Sequence, residues 1–221
     1  MNAERSPKST PALKRSAGRR MTPERQQRIL DVAAEIAIED GFAAISMQSV
    51  AKRAGYTRPV VYDCYPSPEA IILAVLDREF ETVAEEIEGI AASLTEPAAR
   101  SAEGLVRTII GRLELMRAQP RTWLLLSVPT EGTPDTVQAR MNAIRETLRR
   151  NSEQALAQAV HDMPGPELDT EAASYLVQDV THAFAQRMIA EPQTYTTQRV
   201  RGVIETLMIG MSSAPTNTPG A

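Results

Sequence analysis

With 221 residues, 43% apolar and 24% charged, the chain has enough hydrophobic side chains for a substantial core, which excludes a fibrous or disordered protein. No run of about 18 uncharged apolar residues occurs and the basic N-terminus lacks an apolar stretch, so neither a membrane span nor a secretory signal is read and the cytoplasm is the expected compartment. One cysteine, Cys64, excludes an internal disulfide framework, and two isolated histidines have no metal-ligand spacing, so neither a metal nor a cofactor is expected.

The net charge of −4 conceals an asymmetry. Residues 1–65 carry 11 Lys/Arg against 7 Asp/Glu, whereas residues 66–221 carry 13 against 21. A basic head on an acidic body suits a head that meets a polyanion, because phosphate contact releases condensed counterions.

Residues 1–21 are rich in Ser, Pro, Ala and Arg without helical periodicity and read as a flexible basic arm. Thr22-Pro23 then starts a helix over 23–40, since threonine caps and proline is tolerated at the first helical position. Ile29, Leu30, Ala33, Ile36 and Ala37 recur at helical spacing until Gly41, which suits a left-handed terminating residue. Ser46 caps a short helix over 47–54, Gly55 turns the chain, and Thr57 caps a third helix over 58–64. Ser67-Pro68-Glu69 opens a long fourth helix reaching about residue 92, with Ile71, Ile72, Val75, Leu76, Phe80, Val83 and Ile87 at spacings of three and four. Beyond Pro97, helices are predicted near 99–118, 120–127, 134–161, 167–190 and 194–212, punctuated by proline throughout. Residues 213–221 read as a frayed tail. No alternating strand pattern appears, so the class is all-α with about nine helices.

A helix, a short helix, a glycine turn and a capped helix make a helix-turn-helix, whose last helix enters the major groove. The stretch Ser46-Met-Gln-Ser-Val-Ala-Lys-Arg-Ala-Gly55-Tyr-Thr-Arg-Pro-Val-Val-Tyr62-Asp-Cys-Tyr65-Pro-Ser-Pro-Glu-Ala70 closely resembles the DNA-binding head of the TetR/AcrR regulators. The resemblance covers about residues 24–80 and rests on spacing, turn glycine, tyrosine and the Pro-Ser restart; beyond residue 80 only the helical layout is similar.

Chemistry assigns roles within this head. Ser46 and Thr57 stand at helix N-termini, where N–H groups and the dipole favour phosphate. Arg58, at the tip of the recognition helix, has a planar fork suited to guanine O6 and N7 together. Val60 is placed for a thymine methyl and Asp63 for cytosine N4, with Pro59 beside them as a further base reader. Tyr62 looks like the family tyrosine that reaches a phosphate, and Lys52 is a further phosphate candidate. Val61 and Tyr65 are read as core. Two positions depart from the family pattern, since Cys64 replaces a customary histidine and Pro68 a customary lysine. The arm residues Lys14, Arg15, Arg19 and Arg20 are candidates to compensate from the adjacent minor groove.

The resemblance divides the chain into arm 1–21, DNA-binding domain 22–66, ligand-binding and dimerisation domain 67–212 and tail 213–221. It implies a homodimer whose last two helices pair into a four-helix bundle, with candidates Val180, Phe184, Met188, Val200, Val203, Ile204, Leu207 and Met211. Two-fold symmetry would set the heads about 34–36 Å apart on a palindromic operator in double-stranded DNA. It also implies a small-molecule effector, for which Met116, Trp123, Leu126, Met141, Ile144, Tyr175 and His182 are the cavity candidates. A repressor released by its effector follows, with the fourth helix as the lever between head and body; no catalytic motif is found. A helical interaction module without ligand response is the alternative that the residues leave open.

Overall fold

A computed structural model describes residues 22–93, 101–161 and 168–212, and every regular element among them is helical. The expected arm and tail, residues 1–21 and 213–221, lie outside the described residues.

Helix α1 (Pro23–Asp40) begins as its caps dictate, with Thr22 Oγ1 accepting from the Arg25 amide and Pro23 in the first turn. It ends at Gly41, whose φ of 86° and ψ of 161° lie outside the left-handed helical well anticipated for it. That backbone region is essentially reserved for glycine, and it turns the chain into a short 3-10 segment, Phe42–Ala44, that periodicity did not anticipate. Phe42 plugs the core there at 1% exposure.

Helix α2 (Met47–Ala54) starts on a reciprocal cap, in which Ser46 Oγ accepts from the Ser49 amide and Ser49 Oγ accepts from the Ser46 amide. Gly55, at φ 73° and ψ 27°, is the left-handed terminator that leads into α3 (Arg58–Cys64). Only Val61 of α3 is fully buried. Ser67 Oγ then caps α4 (Pro68–Ser93) by accepting from the Ala70 amide at 3.1 Å.

The body comprises α5 (Ala102–Ala118), α6 (Pro120–Ser127), α7 (Asp135–Val160), α8 (Thr170–Ala190) and α9 (Thr197–Ser212). Three of these start about three residues later than the proline punctuation suggested, because Ser101, Asp169 and Thr196 each hold a capping position and accept an amide three residues on. Helix α1 packs on α2 and α4, α4 on α7, α7 on α8, and α5 on α8 and α9. One hydrophobic cluster runs from Ile29 in α1 through Leu76 and Met141 to Ile204 in α9, so the three-helix head is welded to the body through α4 rather than joined by a linker.

Candidate nucleic-acid interface and effector cavity

The first site is the tip of α3. The turn at Gly55 presents the start of this helix outward, and Ser46, Lys52, Thr57, Arg58, Pro59, Tyr62 and Asp63 are all exposed, with Val60 half-buried beside them. Tyr62 keeps 50% of its surface. Thr57 occupies the N-cap position of α3 but its hydroxyl makes no cap bond, contrary to expectation, so that oxygen remains free for an outside group. Ser46 is different, since its hydroxyl is committed to the cap of α2. Arg53 is also committed, reaching across to Glu35 and Glu39 of α1 and fixing α2 against it. Tyr65 packs half-buried against the core, and burial raises both its hydroxyl pKa and that of the Cys64 thiol, so Cys64 has no thiolate character near neutrality. Lys14, Arg15, Arg19 and Arg20 lie outside the described residues.

Behind the head lies a polar junction. Asp31 of α1 receives Arg78 of α4 at 2.9 Å and Arg121 of α6 at 3.2 Å, and Arg121 also donates to the Asp31 carbonyl. Glu79, buried at 6% exposure, accepts from Arg78 and from Thr122 Oγ1 at 2.5 Å. Helix α6 is thereby fastened to both α1 and α4.

The same helix walls a cavity of about 240 Å³. Met116, Trp123, Leu126 and His182 line it together with Arg112, Ser127, Arg145, Leu148, Gln178 and Asp179, from α5, α6, α7 and α8. Three expected members are elsewhere. Met141 and Ile144 point into the dry core at 0% exposure, because their turn of α7 faces the hydrophobic cluster. Tyr175 lies on the outer surface under the Arg149 guanidinium, 5.1 Å from its ring centroid. Arg145 crosses from α7 to donate to the Leu126 and Val128 carbonyls at 3.2 and 3.1 Å, capping the C-terminal end of α6. Arg112 donates Nη1 to Ser152 Oγ, and desolvation lowers its pKa to about 10. Burial likewise lowers the pKa of His182.

The expected dimer stripe divides. Val180, Val203 and Leu207 stand exposed on α8 and α9, with Leu176 beside them. Met188, Val200 and Ile204 are instead buried within the protomer and Phe184 packs half-buried against the same cluster, because the inner face of each amphipathic helix is already covered by α5. The side chain of Met211 lies outside the described residues.

Residues 29–75, covering α1 to the first turns of α4, match the family model described as bacterial regulatory proteins, tetR family. Over these residues the head of the chain is similar to the tetR family. Among curated TetR-family relatives, the repressor KstR of Mycolicibacterium smegmatis is 38% identical over 60 residues, which is 27% of this chain and 29% of KstR. The activator FasR of the same species is 34% identical over 82 residues, 37% of each chain. The aligned stretches thus span little more than a third of these relatives at most. The fold is shared more widely: FadR from Bacillus subtilis, solved in complex with stearoyl-CoA, superposes with a TM-score of 0.61 at 17% identity over 83% of this chain and 97% of that one.

Of the residues expected at a cavity, Met116, Trp123, Leu126 and His182 line this one, whereas Arg112, Arg145, Leu148 and Gln178 were overlooked. The overlooked signal was spacing: Arg112 stands four residues before Met116, Gln178 four before His182, and Arg145 three before Leu148, each pair sharing a helical face. Among the described residues no helix is long and apolar enough to cross a membrane, and no group of His, Cys, Asp and Glu is placed to hold a metal.

Proposed function

We propose that this chain is a TetR-family DNA-binding transcriptional regulator that acts as a homodimer on a palindromic operator and is released by a small molecule. Residues 22–66 form the DNA-binding unit and residues 67–212 the effector and dimerisation unit. The observation that carries this reading is the outward tip of α3, where the side chains of Thr57 and Arg58 have no hydrogen-bond or ion-pair partner among the described residues. Arg58, Pro59, Val60 and Asp63 read bases, while Ser46, Lys52, Thr57 and Tyr62 position the head on phosphates, Ser46 through the α2 N-terminus that it caps. Lys14, Arg15, Arg19 and Arg20 supply arm contacts to the neighbouring minor groove.

Release operates through α6 as well as α4. Trp123, Leu126 and Ser127 face the cavity while the adjacent Arg121 holds Asp31 of the head and Thr122 holds Glu79 of α4, so a ligand that shifts α6 strains both fastenings at once. A coupling of about 1–3 kcal/mol changes operator affinity about 5–150-fold. Repression is the favoured sign by family habit alone, since release from DNA would relieve a repressor and silence an activator alike.

The test is selection of bound sequences from a random duplex pool, followed by titration of the selected site with the wild type and Arg58→Ala. The expected result is a palindrome and a loss of about 1–3 kcal/mol with melting temperature unchanged, since Arg58 is exposed. No enrichment of any sequence, or equal affinity of the variant, would refute the reading.

A further inference from the structure

The cavity wall is short of acceptors. Arg112 Nε and Trp123 Nε1 are buried donors without a hydrogen-bond partner, and both residues line the same space. Neither Arg112 nor Arg145 has a carboxylate within ion-pair distance among the described residues, although nearly every other arginine of α4 to α7 with a described contact is ion-paired. A desolvated guanidinium held only by a serine hydroxyl weakens a fold, and replacing such a charge is commonly neutral or stabilising. Its presence in this wall therefore calls for a partner outside the chain.

We propose that the cavity recognises a small organic monoanion, a single carboxylate on an apolar body, with the carboxylate held by Arg112 and Arg145. This rests on the effector-binding reading above and names its ligand class. Arg112 from α5 and Arg145 from α7 each bring a planar guanidinium fork to the same wall, and such forks suit a carboxylate. His182, kept uncharged near neutrality by burial, adds a hydrogen-bonding ring nitrogen, and Gln178 and Ser127 are neutral. Asp179 is the one carboxylate of the wall; it is exposed, and the two guanidiniums outweigh it. Met116, Leu126, Leu148 and the Trp123 indole take the apolar body. A volume of about 240 Å³ equals roughly eight waters at ~30 Å³ each, which suits a ligand of about eight to twelve non-hydrogen atoms. An anion that draws Arg145 toward itself also competes with the Leu126 and Val128 carbonyls, so recognition and loosening of α6 share one side chain.

The chain's single tryptophan stands in this wall, so binding is read by Trp123 fluorescence on the full-length protein. Hexanoate, octanoate and 3-phenylpropanoate are each titrated against the alcohol of the same skeleton at pH 7.5. At least one acid is expected to bind about tenfold or more tightly than its alcohol, as charge-assisted hydrogen bonds predict. Arg112→Gln, and separately Arg145→Gln, is expected to erase that preference, with Arg112→Gln melting no lower than the wild type. If no acid outbinds its alcohol, or if both variants keep the preference, the proposal is overturned. A preference for the acid without any change in operator affinity would uphold the ligand class while sinking the release mechanism.

Discussion

Gly55 shows how one residue places a functional surface. Its φ of 73° lies where side chains with a Cβ pay roughly 1–2 kcal/mol, and nothing stands within 4 Å of the position that a Cβ would take. Gly55→Ala therefore suffers backbone strain alone, and its melting temperature is expected to fall by roughly 2–8 °C in a thermal scan. An unchanged value would mean that the turn relaxes without cost. Such positions were legible in the sequence because their chemistry is local: a cap, a proline and a glycine each announce themselves within four residues. Arg112 and Arg145 were not, since an arginine on an amphipathic helix reads as a solvated charge until the packing of four helices encloses it. Thr57 failed in the opposite way, having the right residue type for a cap without making the bond.

At the level of elements, α6 is eight residues long and yet touches the head, the cavity and α7. The sequence reading assigned the lever to α4 alone, because α4 is long and continuous from head to body. The contribution of α6 depends on pairs such as Arg121 with Asp31 and Thr122 with Glu79, which are 90 and 43 residues apart, beyond the reach of any periodicity argument. Glu79 is the acceptor that this junction can least do without. Glu79→Ala removes the buried partner of both Arg78 and Thr122 and is expected to cost about 2–3 kcal/mol, read as a lower urea midpoint with an unchanged slope. A midpoint within error of the wild type would show that the junction contributes nothing to the fold.

For the whole molecule, the question is which apolar faces remain after the protomer has folded. Leu176, Val180, Val203 and Leu207 remain, with Leu207 at 60% exposure and Leu176 at 67%. Periodicity placed Val180, Val203 and Leu207 on one stripe with the buried Met188, Val200 and Ile204, because an apolar repeat is the same whether its own chain or a second copy covers it. The exposed subset is the part available to a partner. Val203→Glu combined with Leu207→Glu is expected to leave the protomer folded by circular dichroism while converting dimer to monomer in sedimentation velocity; a dimer that survives both charges would place the interface elsewhere.

The sharing of Asp31 between Arg78 and Arg121 bears on how such a dimer would let go. Withdrawing α6 cuts one of two tethers and leaves the other, on α4, in place. On the proposed release, the head would then re-aim about α4, where the shared hydrophobic cluster still holds it, so departure from the operator would need no unfolding.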